Sequence, residues 1–403
     1  MNNKAYLNRL FESNKPLIIY KVTDGYDVYT DFSDKVIVQK SNLKNFLKKT
    51  TLFRKKYNNF FNGYIGFFGY ELCCELIGVR IPKQQSNNFY KSIFYKPQTV
   101  IKIRKNIRTQ SILSNFKSLD KLKKSKKKYF CQKKFNVNLT IKQYSKLFDK
   151  LIKKIKRGET YQIKICQKYT NNSRIDPIKF FWNLMKTNIS PESFVIRDLD
   201  YSIISCSPET LIEKKNNMII TKPIAGTLKK TSQTSKSKAK IFFQNNEKES
   251  KEHNMIVDME RNDLSRICEK GSVRILKLKY VEEYKNLYHY VTKIVGKLDR
   301  SKKIIDIIKA MLPGGSVIGC PKINTLNILN RHEKDNRNIY TGSFGYIKSN
   351  GDMRFNIIIR TILNFKDICE ISAASGVILG STAKKEYQEN FIKAKSLLDI
   401  FQS

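Results

Sequence analysis

Short apolar runs separated by loops are the main pattern in the first 115 residues of the chain. The runs PLIIYKV, VIVQ and TVIKIRK have the length and composition typical of strands. Residues 41–57 instead carry apolar side chains at helical spacing. The pattern therefore predicts an N-terminal part made of sheet strands and one helix.

A different pattern begins near residue 140, where IKQYSKLFDKLIKKIKRGE has the period of an amphipathic helix. It leads into YQIKICQKY, which predicts a strand, and strands and helices then mix irregularly to the C-terminus. The chain shows no strict strand–helix–strand alternation, no internal repeat and no glycine-rich loop for a nucleotide. A basic stretch, residues 116–135, separates the two patterns and has the composition of a linker or solvated loop.

The formal net charge of +42 is the strongest argument for a nucleic-acid-binding protein. The basic residues are, however, spread along the whole chain, and Asn, Ile, Phe and Tyr are also abundant. Our hypothesis is that mutational bias toward A/T-rich codons produces that combination, with lysine as a common surface residue. Specific nucleic-acid binding is therefore only a distant alternative.

Cysteine spacing and hydropathy indicate the redox state of the thiols and the cellular location to expect. The eight cysteines form no CxxC pair and only three histidines accompany them, so we expect reduced, mostly buried thiols. No run of roughly 18 uncharged apolar residues is present, and MNNKAYLNRL lacks the apolar region of a signal peptide. We expect a cytoplasmic protein without a membrane span.

Two carboxylates, Glu249 and Glu252, stand one helical turn apart in NEKESKEHNMIVDMERNDL. With 3.6 residues per turn they share one helix face, where two acids can hold a hard cation such as Mg²⁺. Taken alone, the pair fits better with an ordinary solvated face, because Lys248 and Lys251 could neutralise both acids. Other segments of the chain reverse that preference.

Several further motifs follow one another in a distinctive order. They are GYIGFFGYEL, SCSPETLI, KPIAGT, GGSVIGCPK, GSFGYI, IIIRTIL and AASGVILGSTAKKEYQEN. Together with the acidic helix they resemble the chorismate-utilising enzymes, which include anthranilate synthase component I, aminodeoxychorismate synthase component I and the isochorismate synthases. The resemblance covers about residues 140–400 and, more loosely, the N-terminal part.

The resemblance implies an α+β fold, a large antiparallel or mixed β-sandwich surrounded by helices. Residues 136–403 would form the chorismate-binding catalytic domain. Residues 1–135 would contribute strands and a possible regulatory site, and would end in the basic linker.

A magnesium site is also implied by the resemblance. Glu252 and Glu389 match the family's ligands for Mg²⁺, and Glu249 and Glu386 would act behind them or through water. Mg²⁺ prefers one or two protein carboxylates together with water and substrate oxygens, which suits two acids from separate helices.

Chorismate has two carboxylates, and the resemblance assigns residues to hold them. The apolar run IIIRTIL predicts a strand with Arg360 as a lone charge inside it. By the resemblance, Arg360 would bind the enolpyruvyl carboxylate in a forked contact, with the Tyr340 hydroxyl nearby. The backbone amides of three small residues, Ala374, Ser375 and Gly376, would approach the same carboxylate. Gly226 and Thr227 of KPIAGT would form another wall of the site. The family usually has glycine at the position of Ala374.

Three residues match catalytic positions of the family. Glu209 matches the general acid that protonates the departing 4-hydroxyl, and His289 matches the residue linked to pyruvate elimination in anthranilate synthases. Gln162 stands where isochorismate synthases carry a lysine that activates water. Because an amide cannot deprotonate water, hydration is disfavoured. His253, beside Glu252, is expected to be structural.

The particular member of the family depends on a few positions. Many aminodeoxychorismate synthases have a lysine where this chain has Ala225, which favours direct attack by ammonia and an anthranilate product of the tryptophan pathway. GGSVIGCPK and GDMRFNIIIRT look closer to aminodeoxychorismate synthases, which serve the folate pathway. We expect the large subunit of an anthranilate synthase, a lyase, with aminodeoxychorismate synthase component I as the alternative.

The resemblance also leads to expectations about the source of ammonia and about feedback inhibition. Because nothing in the chain resembles a glutaminase, the resemblance implies a separate glutamine amidotransferase subunit that supplies ammonia. LFES (10–13) resembles a tryptophan-binding segment, but NISPES (188–193) has Glu192 and Ser193 where an indole pocket needs apolar residues. We therefore expect weak or absent inhibition by tryptophan, and half-inhibition at micromolar concentration would contradict this.

Overall fold

The computed structural model describes residues 3–51, 61–81, 89–112, 122–231, 233–284 and 287–402. The side chains of residues 225, 227, 229 and 247–249 lie outside the described part. Two predicted site residues, Thr227 and Glu249, are therefore described only by their backbone.

The described chain contains α-helices distributed from its N-terminus to its C-terminus. They are α1 (Asn3–Glu12), α2 (Leu43–Thr51), α3 (Tyr70–Leu76), α4 (Ile141–Lys156), α5 (Pro177–Thr187), α6 (Lys236–Asn245), α7 (Glu247–Ser265), α8 (Ile304–Met311), α9 (Lys322–His332) and α10 (Ala383–Leu398).

Strands lie between these helices along the whole chain. They are β1 (Leu17–Val22), β2 (Gly25–Ile37), β3 (Gly63–Phe68), β4 (Ser92–Ile103), β5 (Ile107–Ser111), β6 (Asn136–Val137), β7 (Gln162–Asn172), β8 (Glu192–Arg197), β9 (Tyr201–Ser207), β10 (Thr210–Lys215), β11 (Met218–Thr221), β12 (Ile224–Lys229), β13 (Arg274–Glu283), β14 (Leu287–Lys297), β15 (Gly319–Cys320), β16 (Ser343–Lys348), β17 (Met353–Asn356), β18 (Thr361–Phe365) and β19 (Ile368–Val377).

Local sequence explains the clearest of the predicted helices. Thr140 and Gln143 form a reciprocal capping box at the start of α4, which satisfies backbone donors that no helical carbonyl can reach. The apolar side chains of α4 recur at three- and four-residue spacing and are buried, as predicted from the pattern. Helix α2 lies within the predicted 41–57 segment, of which residues 52–57 are outside the described chain.

Antiparallel pairing joins all strands of the described chain. The pairing runs from β14 through β11, β10, β17, β16, β3, β4, β2, β1, β8, β9, β18 and β19 to β7. Strands from the first 111 residues therefore lie in the middle of the sheet, because β1 pairs with β8 and β3 pairs with β16. The sheet and its covering helices confirm the α+β prediction.

Two large apolar cores pack against this sheet. One holds Phe46, Leu264 and Met311, which belong to α2, α7 and α8. The other holds Leu10 of α1 and Phe181 of α5, together with residues of α10. The helices therefore surround the sheet because each buries one apolar stripe against it.

The sheet is interrupted where the chain passes from β9 to β10 and from β17 to β18. Strand β9 pairs with β18 and β10 pairs with β17, so both connections leave one part of the sheet and enter another. The backbone amide of Ile357 donates to the Glu209 carbonyl, and that of Cys206 donates to the Arg360 carbonyl, both at 3.1 Å. Arg360 has a φ of +51°. The prediction of a continuous strand IIIRTIL is therefore wrong for residues 357–360.

Other sequence expectations concern the surface and the thiols. All eight cysteines are free; Cys131 is exposed, Cys320 is partly exposed and the rest are buried. The described part of the basic stretch, residues 122–135, is mostly exposed, and its backbone bonds to Glu12 and Arg174. Within the described chain, every helix is too short or too polar to cross a membrane.

Candidate active site

Glu209 lies at the interruption between β9 and β10 and is 5% exposed. The Ser316 hydroxyl donates to its Oε1 at 3.0 Å. Burial raises the pKa of the Glu209 carboxyl to about 7, although Ser316 and the Lys164 ammonium act in the opposite direction. A buried carboxyl with this pKa can hold and donate a proton near neutral pH.

Gln162 and Lys164 of β7 point to the same side of the sheet, because alternate residues of a strand share a face. Gln162 Nε2 and Lys164 Nζ donate to the same oxygen, Oε1 of Glu252 in α7, at 2.9 and 2.8 Å. The Lys164 charge lowers the pKa of Glu252 to about 2, so this acid is ionised. Burial alone would lower the pKa of Lys164, but Glu252 raises it.

Glu389 extends from α10 and forms an ion pair with Lys393, one helical turn later, at 2.7 Å. Lys393 also donates to the Ala374 carbonyl of β19 at 3.0 Å. Burial and the Lys164 charge lower the pKa of Lys393, while the carboxylates of Glu389 and Glu252 raise it. The two pairs, Lys164–Glu252 and Lys393–Glu389, therefore lie close enough to influence one another.

The last residues of β19 form a wall of small side chains beside these pairs. A Cβ atom at Gly376 would lie 2.7 Å from Gln162 Nε2 and 2.8 Å from Lys164 Nζ, so only glycine fits without displacing them. In the described chain β18 pairs with β19 only as far as Ile371. The edge beyond Ile371 can therefore offer backbone amides to an anion.

Tyr340 and Ala374 lie together in a small buried cluster with Cys166. Burial raises the pKa of Tyr340 well above its usual value, so the phenol keeps its proton for donation. The Ser375 side chain faces the other side of β19, where its hydroxyl lies 3.1 Å from that of Tyr144. Ser375 can therefore contribute to the site through its backbone alone.

His289 of β14 is fully buried opposite β12. Its Nδ1 donates to the Gly226 carbonyl at 3.4 Å, which assigns the unprotonated nitrogen to Nε2. Burial and the Arg360 charge lower the pKa of His289 to about 4, so the ring is neutral at pH 7. A neutral imidazole in this tautomer can accept a proton at Nε2.

Arg360 contributes a positive charge at the second interruption of the sheet. Its charge lowers the pKa of both Glu209 and His289, so the guanidinium lies near both groups. Among the described residues no carboxylate forms an ion pair with Arg360. The guanidinium is therefore available to an anionic ligand.

The acidic residues fit a hard divalent cation in number and chemistry. Glu252 and Glu389 come from different helices, and both carboxylates act to raise the pKa of Lys164 and of Lys393. No cluster of three or more potential metal ligands occurs among the described residues. Two carboxylates with room for water and substrate oxygens suit Mg²⁺, which rarely uses an all-protein cage.

The structure brings most of the predicted site residues to one region. Gln162, Glu209, Glu252, His289 and Arg360 are linked by hydrogen bonds or by mutual electrostatic effects, and Tyr340, Ala374, Gly376 and Glu389 adjoin them. Gly226 joins through His289. The backbone of Thr227 pairs with that of His289, and Glu249 lies in α7, with both side chains outside the described part.

His253, the second histidine of interest, is fully buried. Its Nε2 contacts the Thr292 hydroxyl, and burial lowers the pKa of the ring to about 4. Glu386 is also buried and accepts a hydrogen bond from the Ser381 hydroxyl at 2.8 Å.

Two lysines and a serine of this region were missed in the sequence. Lys164 is a charged residue inside the apolar run YQIKICQ, and Lys393 follows Glu389 by one helical turn. A charge in a buried strand and an acid–base pair at i, i+4 are both recognisable signals. Ser316 lies in the motif GGSVIGCPK, but the sequence does not show its contact with Glu209, which joins residues 107 positions apart.

A separate cavity of about 1080 Å³ lies against β1, β2 and the NISPES segment. Glu192 of that segment is fully buried. Its carboxylate accepts hydrogen bonds from Arg354, Thr210 and Tyr20. A buried, paired carboxylate at this place offers little apolar surface to an indole, so weak tryptophan inhibition stays our prediction.

The antiparallel sheet and its helices form an α+β fold, and the buried acids beside lysine and arginine form a charged site suited to an anionic ligand. Comparison with known proteins identifies the family. Residues 8–399 match the family model described as chorismate binding enzyme. The chain belongs to the chorismate-binding enzymes.

Curated relatives include two kinds of enzyme. Aminodeoxychorismate synthase component 1 of Bacillus subtilis is 36% identical over 62% of this chain and 54% of its own length. Anthranilate synthase component 1 of Saccharolobus solfataricus is 29% identical over 84% of this chain and 80% of its own length. The chain thus spans little more than half of the Bacillus relative.

Solved structures share the architecture. Anthranilate synthase component I of Streptococcus pneumoniae aligns with a TM-score of 0.77 and 26% identity over 96% of this chain and 91% of its own. The menaquinone-specific isochorismate synthase of Escherichia coli has a TM-score of 0.78 at 15% identity, over 98% of this chain and 91% of its own, which supports the fold alone.

Proposed function

We propose that the chain is the large subunit of an anthranilate synthase, which aminates chorismate with ammonia and eliminates pyruvate. The observation that carries the proposal is the pair Glu209 and His289, a buried acid with a pKa of about 7 and a neutral buried imidazole, both near the Arg360 charge. The first can donate a proton and the second can accept one.

Each step of the proposed reaction uses residues of this chain. Protonated Glu209 gives its proton to the ring hydroxyl, which leaves as water when ammonia attacks the ring. His289 Nε2 takes the proton from the aminated ring carbon, and the bond between the ring and the enolpyruvyl oxygen breaks as the ring becomes aromatic. The enolpyruvate that leaves takes up a proton at its methylene carbon and becomes pyruvate. Arg360, Tyr340 and the edge of β19 hold the enolpyruvyl carboxylate.

Magnesium is part of the proposal. Glu252 and Glu389 would hold the ion, and Glu249 would support it from the same helix face as Glu252. When bound, Mg²⁺ would neutralise the ring carboxylate and polarise the adjacent ring. We further propose that a separate glutamine amidotransferase subunit supplies the ammonia, because free ammonia is mostly ammonium at neutral pH.

Position 162 argues against hydration. Gln162 donates its amide to Glu252, and an amide cannot activate water as a base. This supports amination over the isochorismate synthase reaction.

Aminodeoxychorismate synthase component I is the second candidate. The relative of that name in Bacillus subtilis is 36% identical to this chain, and GGSVIGCPK favours the same enzyme. Ala225 stands where many such enzymes have lysine, which favours anthranilate synthase.

The product distinguishes the candidates. The purified chain is incubated with chorismate, Mg²⁺ and ammonium at alkaline pH, and product is followed by fluorescence and mass. We expect fluorescent anthranilate and stoichiometric pyruvate. Aminodeoxychorismate without pyruvate would overturn the anthranilate assignment in favour of the second candidate. Absence of turnover, with and without a glutaminase partner, would contradict both and return attention to the net charge of +42.

A further inference from the structure

Lys164 places a positive charge at the centre of the proposed site. It is 8% exposed, and its Nζ lies 2.8 Å from Glu252 Oε1. It also adjoins Gly376, where an added Cβ would approach Nζ to 2.8 Å. The ammonium therefore contacts the carboxylate proposed to bind metal and lies next to the strand edge proposed to bind the substrate carboxylate.

The two lysines of the site differ in what else they contact. Lys393 donates to Glu389 and also to the Ala374 carbonyl, so it keeps a partner if Glu389 turns away. In the described chain, the side-chain hydrogen bond and the ion pair of Lys164 both go to Glu252. Loss of Glu252 to a metal ion would deprive the buried Lys164 ammonium of the carboxylate that it contacts directly, which is costly.

A divalent cation and the Lys164 ammonium compete for the same carboxylate. Both need the negative charge of Glu252, and two positive charges held at one carboxylate repel strongly in a buried site. Entry of the metal therefore requires the ammonium to move. An anionic substrate can provide it with a new partner, because the edge of β19 next to Gly376 is where a carboxylate is proposed to lie.

We propose that Lys164 is the resident cation of this site: it occupies Glu252 in the empty protein, and a divalent cation displaces it toward the substrate carboxylate. The inference rests on the metal ligands assigned under the proposed function. Metal and substrate then strengthen each other's binding. The metal releases Lys164 from Glu252 so that it can pair with the substrate carboxylate, and the substrate gives the displaced ammonium a new counter-charge.

Replacement of Lys164 by methionine tests the competition. Mn²⁺ binding to the empty protein is measured by electron paramagnetic resonance of the free ion, without ammonia or glutamine. We expect Lys164→Met to bind Mn²⁺ about tenfold more tightly or better, since Glu252 no longer needs to leave a partner. Chorismate should strengthen Mn²⁺ binding to the wild-type protein and have a smaller effect on the variant.

Lys168→Met is the matched control. Lys168 lies on the same face of β7, is 6% exposed and forms an ion pair with Glu370 at 2.9 Å, away from Glu252. Its replacement removes a buried lysine of the same kind and should leave the Mn²⁺ affinity unchanged. Lys164→Gln, which is neutral but polar, should reproduce the tighter binding if the methionine variant does not fold.

The outcomes separate this inference from the proposed metal site. Equal Mn²⁺ affinity in wild-type and both Lys164 variants, with binding abolished by Glu252→Gln, would overturn the role of Lys164 and leave the metal site standing. Weaker Mn²⁺ binding in the Lys164 variants would also overturn it. A wild-type protein that binds no Mn²⁺ even with chorismate, and Lys164 variants that bind none either, would contradict the metal site itself.

Discussion

Individual side chains in this protein take their chemistry from where the fold places them. Glu209 is an ordinary glutamate in sequence, and burial raises its pKa to about 7. Glu252 has the opposite environment, because the Lys164 ammonium lowers its pKa to about 2. Two carboxyls of one site are thus given different protonation states by their neighbours, which the proposed acid catalysis beside a proposed metal ligand requires.

Replacement of Glu209 by glutamine tests the proton donor. Glutamine keeps the size of the side chain and can still accept the Ser316 hydrogen bond, but it cannot donate a proton to the departing hydroxyl. We expect kcat to fall by about 10²–10⁴-fold while Mn²⁺ binding is retained. Rates and metal affinity are measured on the same preparation, and a variant with near wild-type kcat would exclude Glu209 as the general acid.

Secondary-structure elements contribute by the direction in which they present residues. Strand β7 presents Gln162 and Lys164 toward α7, and β19 presents Gly376 toward both. Period-two alternation makes the shared face of β7 readable from sequence. The contact between that face and Glu252 of α7 depends on tertiary packing, which the sequence pattern does not show.

Gly376→Ala tests the wall that β19 forms. The new Cβ would push against Gln162 Nε2 and Lys164 Nζ, the flexible ends of two side chains, so we expect little loss of stability. Displacement of these groups should lower kcat/KM for chorismate by about a hundredfold.

Gly296→Ala in β14 is the control for that experiment. There a Cβ would meet Cys268 Sγ at 2.5 Å in the packed interior. This variant should lose thermal stability, as followed by circular dichroism. A Gly376→Ala protein with unchanged kcat/KM would show that the wall does not contact substrate.

Helix α3 carries a buried acid that links folding to pH. Glu71 is 7% exposed and accepts a hydrogen bond from the Asn338 backbone amide at 3.1 Å. Burial raises its pKa from 4.5 to about 7. The folded protein therefore binds this proton more tightly than the unfolded chain, and the associated stability is present below pH 4.5 and is lost as pH rises to about 7.

Glu71→Gln should flatten the pH dependence of stability. The difference in unfolding free energy between pH 5 and pH 8 should shrink by up to about 3 kcal/mol relative to wild type, because glutamine does not titrate. Urea unfolding at several pH values measures it. Glu75→Gln, on the same helix but partly exposed beside Lys91, is the control, and equal slopes in all three proteins would contradict the assignment.

At the scale of the whole molecule, the sheet joins segments that are far apart in the chain. The sequence suggested a division at residue 135, with the first part contributing strands. In the structure β1 lies between β2 and β8, and β3 lies between β4 and β16. Removal of residues 1–135 would expose the paired edges of β8 and β16.

A chain of residues 136–403 should therefore not fold independently. We expect it to show no cooperative thermal transition by circular dichroism and to aggregate, whereas the full chain unfolds cooperatively. Co-expression with residues 1–135 is the control, because it supplies the strands β1 and β3 that pair with β8 and β16. A fragment that melts cooperatively and binds chorismate would show that residues 136–403 are an independent domain.

Much of the fold was predictable because local patterns report local structure. The capped, amphipathic helix α4 and strand β7 were both recognised from period and composition. The strand through 357–360 was wrong because apolar composition does not reveal that β17 and β18 pair with different neighbours. Residue type and motif order likewise indicated Glu209, Glu252 and Arg360 as site residues.

The sequence by itself determined the family, the α+β class and most candidate residues, since motif order and hydrophobic period are properties of the chain alone. Only the tertiary structure decided that Lys164 neutralises Glu252, that Glu209 holds its proton near pH 7 and that His289 is neutral. These properties depend on burial and on charges brought together from distant positions. Protonation states and ion pairs are set by distance in space, which the spacing of residues along a chain does not specify.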